Sequence, residues 1–278
     1  MTKTAIALVA LLVVSACGSD DDGSAPVATS APTSTSTGST TSTLGTEPSA
    51  LAVEVVSERP HDPSSFTQGL VRTADGFYES TGLYGDSALM EVSDEGVIRR
   101  RVDLDDALFG EGLELVGDEL VQLTYREGTA LVYEADTFAE VDRLPYDGEG
   151  WGLCLLGDEL IMSDGTASLT RRDPDTFAPV DTIEVTLDDE PITQLNELEC
   201  VDDTVWANVW RQDVVVGIDP DTGAVHSVVD ASTLLDPSAR TNEAVLNGIA
   251  HDEEADTFWL TGKYWPTLFE VRFVPADS

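Results

Sequence analysis

Positive charge is scarce in this 278-residue chain: 14 Lys and Arg stand against 53 Asp and Glu, a formal net charge of −39. A surface this negative repels phosphate and anionic headgroups, and no Lys/Arg cluster offers a local exception. Nucleic acid is therefore excluded as a partner, while neutral or cationic substrates fit. Cysteine is nearly absent, and only Cys154 and Cys200 fall in the part that can fold, too few for a disulfide framework. They stand one and two residues after matched positions on neighbouring repeats, which puts them on opposite strand faces and favours two free buried thiols over a pair. Histidine is equally sparse: His61, His226 and His251 are widely spaced and lack the neighbours of a zinc site, so no metal is expected. Acid-rich turns such as 103–106 do not match an EF-hand loop, which favours solvated turns over a structural Ca²⁺. No Gly-x-Ser-x-Gly, phosphate loop or dinucleotide fingerprint occurs.

The N-terminal apolar run, residues 5–14, follows Lys3 and is too short for a stable bilayer span, the pattern of a secretory signal. It ends in Val14-Ser15-Ala16-Cys17, which resembles the bacterial lipobox. The expectation is a signal peptide over 1–16 and a lipidated Cys17 that anchors an extracytoplasmic protein to the membrane; an incidental Cys would leave it secreted. Residues 17–50 form a linker, since 24–49 hold 15 Ser or Thr among 26 residues and almost no large apolar side chain. The folded domain is expected over 51–278.

Within it one signature recurs five times: Gln68-Gly69-Leu70, Glu111-Gly112-Leu113, Trp151-Gly152-Leu153, Asn196-Glu197-Leu198 and Asn247-Gly248-Ile249. Seven residues after each of the first four aliphatic positions a second strand begins, at Phe77, Leu120, Leu160 and Val205; in the fifth repeat Phe258 lies nine on. Third strands follow at 88–92, 130–133, 168–171, 214–218 and 267–271. Asp/Thr/Pro turns such as Asp173-Pro174-Asp175-Thr176 lead to fourth strands at 97–102, 138–144, 180–185 and 224–229. Four antiparallel strands per unit of 40 to 51 residues define an all-β fold, a five-bladed β-propeller. The fifth unit lacks its fourth strand, and the unassigned strand 52–58 completes that last blade and closes the ring, which leaves no free edge and points to a monomer.

First strands of propeller blades line the central channel, so Gln68, Glu111, Trp151, Asn196 and Asn247 face one ring. On the second strands, the positions matched to Glu79 are Gln122, Met162, Ala207 and Leu260; Glu79 is the one acid in a neutral row and a candidate for acid/base work. Trp206 and Trp259 alternate away from the channel and are assigned to blade interiors.

Phe66-Thr67-Gln68-Gly69-Leu70, Glu79-Ser80-Thr81-Gly82-Leu83-Tyr84-Gly85, Phe109-Gly110-Glu111-Gly112-Leu113, Gly150-Trp151-Gly152-Leu153, Asn196-Glu197-Leu198-Glu199, Trp206-Ala207-Asn208-Val209-Trp210 and Thr261-Gly262-Lys263-Tyr264-Trp265 resemble the plant-type and bacterial glutaminyl cyclases, over about residues 54–272. The resemblance implies a five-bladed propeller that closes the N-terminal Gln of peptides or proteins to pyroglutamate with loss of ammonia. It also implies Glu79 as general base and acid, with Gln68, Asn196 and Lys263 donating to the developing oxyanion. Phe66, Trp151 and Trp210 would form an apolar wall, and Tyr125 stands where plant relatives tend to carry Trp. Glu111, Asp164 and Glu197 would bind the substrate ammonium or support the other groups. A cell-surface propeller that binds a peptide or glycan, and a lactonase with a metal on the axis, are the rival readings.

Overall fold

A computed structural model describes residues 47–276; the expected signal peptide, Cys17 and most of the expected linker lie outside them. The described chain is built of strands. A long first strand, β1 (Ser49–Pro60), precedes two four-stranded meanders: β2 (Thr67–Thr73), β3 (Gly76–Thr81), β4 (Ala88–Ser93) and β5 (Ile98–Asp103), then β6 (Gly110–Val116), β7 (Glu119–Thr124), β8 (Thr129–Glu134) and β9 (Glu140–Pro145). A third comprises β10 (Leu153–Leu156), β11 (Glu159–Ser163), β12 (Ser168–Arg172) and β13 (Pro179–Glu184). After a small hairpin, β14 (Thr186–Leu187) and β15 (Glu190–Pro191), come β16 (Leu195–Val201), β17 (Thr204–Val209), β18 (Val214–Ile218) and β19 (Val225–Asp230), and last β20 (Leu246–Asp252), β21 (Thr257–Gly262) and β22 (Thr267–Pro275).

The expected hairpin starts are therefore present in all five repeats, and β1 pairs antiparallel with β22 from Leu51 to Pro60. Its first residues, Ser49–Ala52, also pair in parallel with β19, which the repeat pattern did not foretell, and this fuses the last two groups into one eight-stranded sheet. The hairpin β14–β15 was also missed. Asp188 and Asp189 at its tip both have positive φ, the twist that a two-residue hairpin turn requires.

The first strands neighbour one another in closed order: β2 lies beside β6 and β20, β10 beside β6 and β16, and β16 beside β20. An all-β molecule of meanders around such a set is propeller-like. The recurring signature has a local physical meaning. Register shifts fall at Thr67/Gly69, Gly110/Leu113, Leu195/Leu198 and Leu246/Ile249, so in four repeats the signature is a β-bulge, which lifts its residues out of the ladder and re-aims their side chains. Its glycines are steric: a Cβ on Gly69 would lie 2.5 Å from Leu113 N, and one on Gly152 would lie 2.1 Å from Asn196 O.

Apolar side chains fill the spaces between successive sheets. One cluster holds Leu89, Leu113 and Leu131 between the first two meanders, and another holds Ile161, Leu169, Leu198 and Val216 between the third and fourth. Phe177 takes a left-handed conformation at the end of its Asp-Thr turn, at a cost on the order of 1 kcal/mol. Complete burial of its ring offsets this by about 2–3 kcal/mol.

One expectation is corrected. Cys154 and Cys200 are joined in a disulfide, with their Cα atoms 5.5 Å apart. The inference that they sit on opposite faces led to the wrong conclusion, because neighbouring sheets meet through opposite faces. Cys154 on β10 and Cys200 on β16 therefore point into the same inter-sheet space.

Candidate active site

The bulges of β2, β6 and β20 bring Gln68, Glu111 and Asn247 together. Gln68 Nε2 donates to Glu111 Oε1 at 3.0 Å, and Asn247 Nδ2 donates to Gln68 Oε1 at 3.3 Å and to the Thr67 carbonyl at 3.0 Å. The Asn247 contact fixes the Gln68 amide with its NH₂ toward the carboxyl group. Lys263, the sole lysine in the described residues, follows β21 in the tight turn to β22, and its Nζ lies 4.4 Å over the Phe66 ring. It makes no ion pair within 4.0 Å among the described residues. Asn196, at the start of β16, and Asn247 each keep a buried side-chain oxygen without a partner, and such groups are costly unless something else satisfies them.

The electrostatics follow from burial. Glu111 is held well above the usual carboxylate range, chiefly by desolvation; Lys263 opposes this, and Glu149 and Glu127 add to it. Desolvation lowers Lys263 to about 8, with Glu111 opposing. Each feels the other's charge: a buried acid that takes up a proton more readily than usual and a buried amine that gives one up more readily, the poise that proton transfer calls for.

Aromatic rings wall this group. Trp151 and Trp210 meet edge-on at 5.7 Å, and Phe66 stands at 6.2 Å from Phe109 and 5.3 Å from Tyr264. Phe109 also contacts Tyr125 at 5.6 Å and Tyr84 at 5.3 Å. Phe109, Tyr84 and Tyr264 were not singled out from the sequence, although Phe109 stands two residues before Glu111 as Phe66 stands two before Gln68. A polar strap joins the wall: Arg126 donates to Glu149 at 2.8 Å and to Tyr125 Oη at 2.7 Å, and Trp151 Nε1 donates to Glu149 at 3.1 Å.

Three further expected site residues bond to other partners. Strand alternation turns Ser80 toward β6, where its hydroxyl donates to the Glu111 carbonyl, and turns Glu79 to the opposite face. There Glu79 is 2% exposed beside a void of about 10 Å³, and its Oε1 meets Thr67 Oγ1 at 2.8 Å and His61 Nε2 at 3.1 Å. Glu197 occupies a signature glycine position, and its carboxylate accepts from the Ile249 N–H at 2.7 Å and the Leu70 N–H at 3.3 Å, cross-linking three first strands. Asp164 accepts from the Thr166 N–H at 2.9 Å and thereby shapes the turn that seats Gly165 under the Trp151 ring. A cavity of about 950 Å³ opens at the other ends of the first strands and is lined by acids, among them Glu114, Glu199 and Asp252. No three His, Cys, Asp or Glu side chains converge to hold a metal among the described residues.

The propeller-like fold thus gathers a buried acid, an amide pair and a buried lysine under an aromatic wall, groups that can serve acid/base chemistry. The glutamine cyclotransferase family model matches residues 26–273, and the chain belongs to that family. A glutaminyl-peptide cyclotransferase of Arabidopsis thaliana is 38% identical over 232 residues, which cover 81% of this chain and 72% of that protein. The crystal structure of Myxococcus xanthus glutaminyl cyclase superposes with a TM-score of 0.78 at 38% identity, over 83% of this chain and all of that one.

Proposed function

We propose that this chain is a glutaminyl-peptide cyclotransferase on a five-bladed propeller, and that Glu111 is its general base and acid. The observation that carries the assignment is the hydrogen bond from Gln68 to the buried Glu111 carboxyl, which feels the charge of Lys263 over the Phe66 ring. In the reaction the neutral α-amine of an N-terminal Gln attacks its own side-chain amide carbon. Glu111 accepts the amine proton as the new C–N bond forms, and returns it to the side-chain nitrogen, which leaves as ammonia; a positioned acid/base contributes about 10²–10⁴-fold. Gln68, Asn196 and Lys263 donate to the oxygen as charge develops on it. The free oxygens of Asn196 and Asn247 suit the substrate's N–H groups. Trp151, Trp210, Phe66 and Tyr125 exclude water and hold the short aliphatic side chain.

Glu79 loses the acid/base role in this reading because its carboxyl has no room for a substrate. The same reading makes the enzyme metal-independent and monomeric. It also makes it extracytoplasmic through the leader and tethered at Cys17, which metabolic lipid labelling of the Cys17→Ser variant tests.

The functional test is ammonia release from Gln-peptides by the full chain in the presence of a chelator. Glu111→Gln is expected to lower kcat by about 10³-fold without loss of thermal stability. No ammonia from the parent chain would leave a peptide- or glycan-binding propeller, and activity lost to chelator would bring back metal-assisted hydrolysis.

A further inference from the structure

His61 is a buried titratable group that the chemistry above does not use, and Glu79 is its partner. Their surroundings connect them to the site without touching it. His61 Nδ1 donates to the Trp265 carbonyl at 2.6 Å, so this nitrogen carries a proton in every state, while Nε2 faces Glu79 Oε1. The backbone repeats the attachment: the His61 N–H donates to the Pro266 carbonyl at 3.0 Å, and the Tyr264 N–H to the Ser65 carbonyl at 2.7 Å. All of these bonds grip one turn, 263–266, which carries Lys263. Tyr264 in that turn has a φ of 62°, a conformation that a non-glycine residue keeps only where its surroundings hold it. The other end of the grip is the segment that presents Phe66 and Thr67, and Thr67 bonds both to Glu79 and, through its carbonyl, to Asn247.

We infer that the buried His61–Glu79 pair is an off-axis clamp: an imidazolium–carboxylate contact that holds the Lys263 turn against the Phe66 segment and so sets the position of the Lys263 ammonium. It rests on the reading of Lys263 as an active-site group, and both residues are positioning residues. The pair must be charged for full grip. With Nδ1 committed to the Trp265 carbonyl, loss of the Nε2 proton sets a lone pair against the Glu79 oxygen. Burial is the largest single influence on His61 and opposes the imidazolium; Glu79 from β3, the Trp265 carbonyl and Asp62 together outweigh it.

The test uses the full chain with Glu79→Gln, His61→Asn and the double variant. Each single change is expected to lower kcat/KM for a Gln-peptide by about tenfold or more, to similar extents, and the double to lose little beyond either, as members of one contact do. Lys263 is also expected to react faster with an acylating reagent in each variant, read at its own peptide by mass spectrometry. A fall of about a thousandfold in Glu79→Gln with His61→Asn near the parent would place Glu79 in the chemistry and overturn the clamp. Parent-like kcat/KM and Lys263 reactivity in either single variant would overturn it as well. Should the substitutions fail to fold, His226→Gln/His251→Gln leaves His61 as the sole histidine. Its NMR titration is expected above the ordinary value of about 6.5, and titration at or below that value would refute a charged pair. If the parent releases no ammonia, the proposed function fails, while Lys263 reactivity and the His61 titration still decide the clamp.

Discussion

Glu79 and Glu111 show what a single residue discloses in sequence and what it hides. Glu79 stood out as an acid in a row of neutral positions, which signals an unusual environment but not its cause; the partner, His61, belongs to no repeat. Glu111 sat in a row of polar channel residues and looked ordinary, because its distinction comes from burial and from Lys263, which lies far along the chain. The pair sets a pH dependence. Glu111 must be unprotonated to accept the amine proton, so kcat rises as pH climbs through its raised pKa. Lys263 must keep its proton to stabilise the oxyanion, so kcat falls as pH passes about 8. A bell-shaped kcat profile is expected, and Lys263→Arg should move the alkaline limb upward, since a guanidinium keeps its charge throughout. An alkaline limb unmoved in that variant would separate Lys263 from the rate.

At the scale of strands, regular spacing made the architecture legible. The seven-residue offset located each second strand, and the Asp/Thr turns located the fourth strands. The bulge in the signature was not legible, because a bulge is a relation between two strands and leaves no mark on one. The disulfide is hidden for the same reason: strand alternation fixes faces within a sheet, whereas a bond between sheets depends on how the sheets meet. The bond ties β10 to β16 across 46 residues and is worth about 2–4 kcal/mol by the loop it closes. Denaturant unfolding of Cys154→Ser/Cys200→Ser is accordingly expected to show an unfolding free energy lower by that amount, with ammonia release retained below the transition. The site lies at the other ends of the first strands from Cys200, hence the retained activity. Unfolding indifferent to the substitution would mean that the inter-sheet contacts, among them Leu198 and Ile161, hold β10 and β16 together without it.

The molecule as a whole carries far more acid than base, and its buried acids make stability depend on pH in a direction opposite to the usual carboxylate. Burial raises Glu114 to about 7 and holds Glu199, Glu197 and Glu111 well above the ordinary value. Between the unfolded and folded pKa values the native state therefore binds more protons than the unfolded chain, and stability falls as pH rises through that window. His61 acts in the same direction, since its raised pKa gives stability that is present below its unfolded value and lost as pH climbs through the folded one. Turn aspartates such as Asp173, Asp219 and Asp236 work at the other end: hydrogen bonds from Thr176, Thr222 and Ser238 lower them, so their contribution disappears as pH drops below the ordinary carboxylate range. The opposing limbs place maximal thermal stability near pH 5, by about one unit, with a decline toward pH 8. Added salt should raise Tm at every pH by screening the −39 net charge. It should soften the decline only in part, because Glu114 and Glu199 are half-buried on the lining of an open cavity and salt screens them incompletely. Glu114→Gln should flatten it, since the amide has no proton to lose. Thermal melts across pH at low and high salt read all of this, and a Tm that held steady or rose from pH 5 to 8 in the parent chain would show that these acids ionise in the folded protein at no cost.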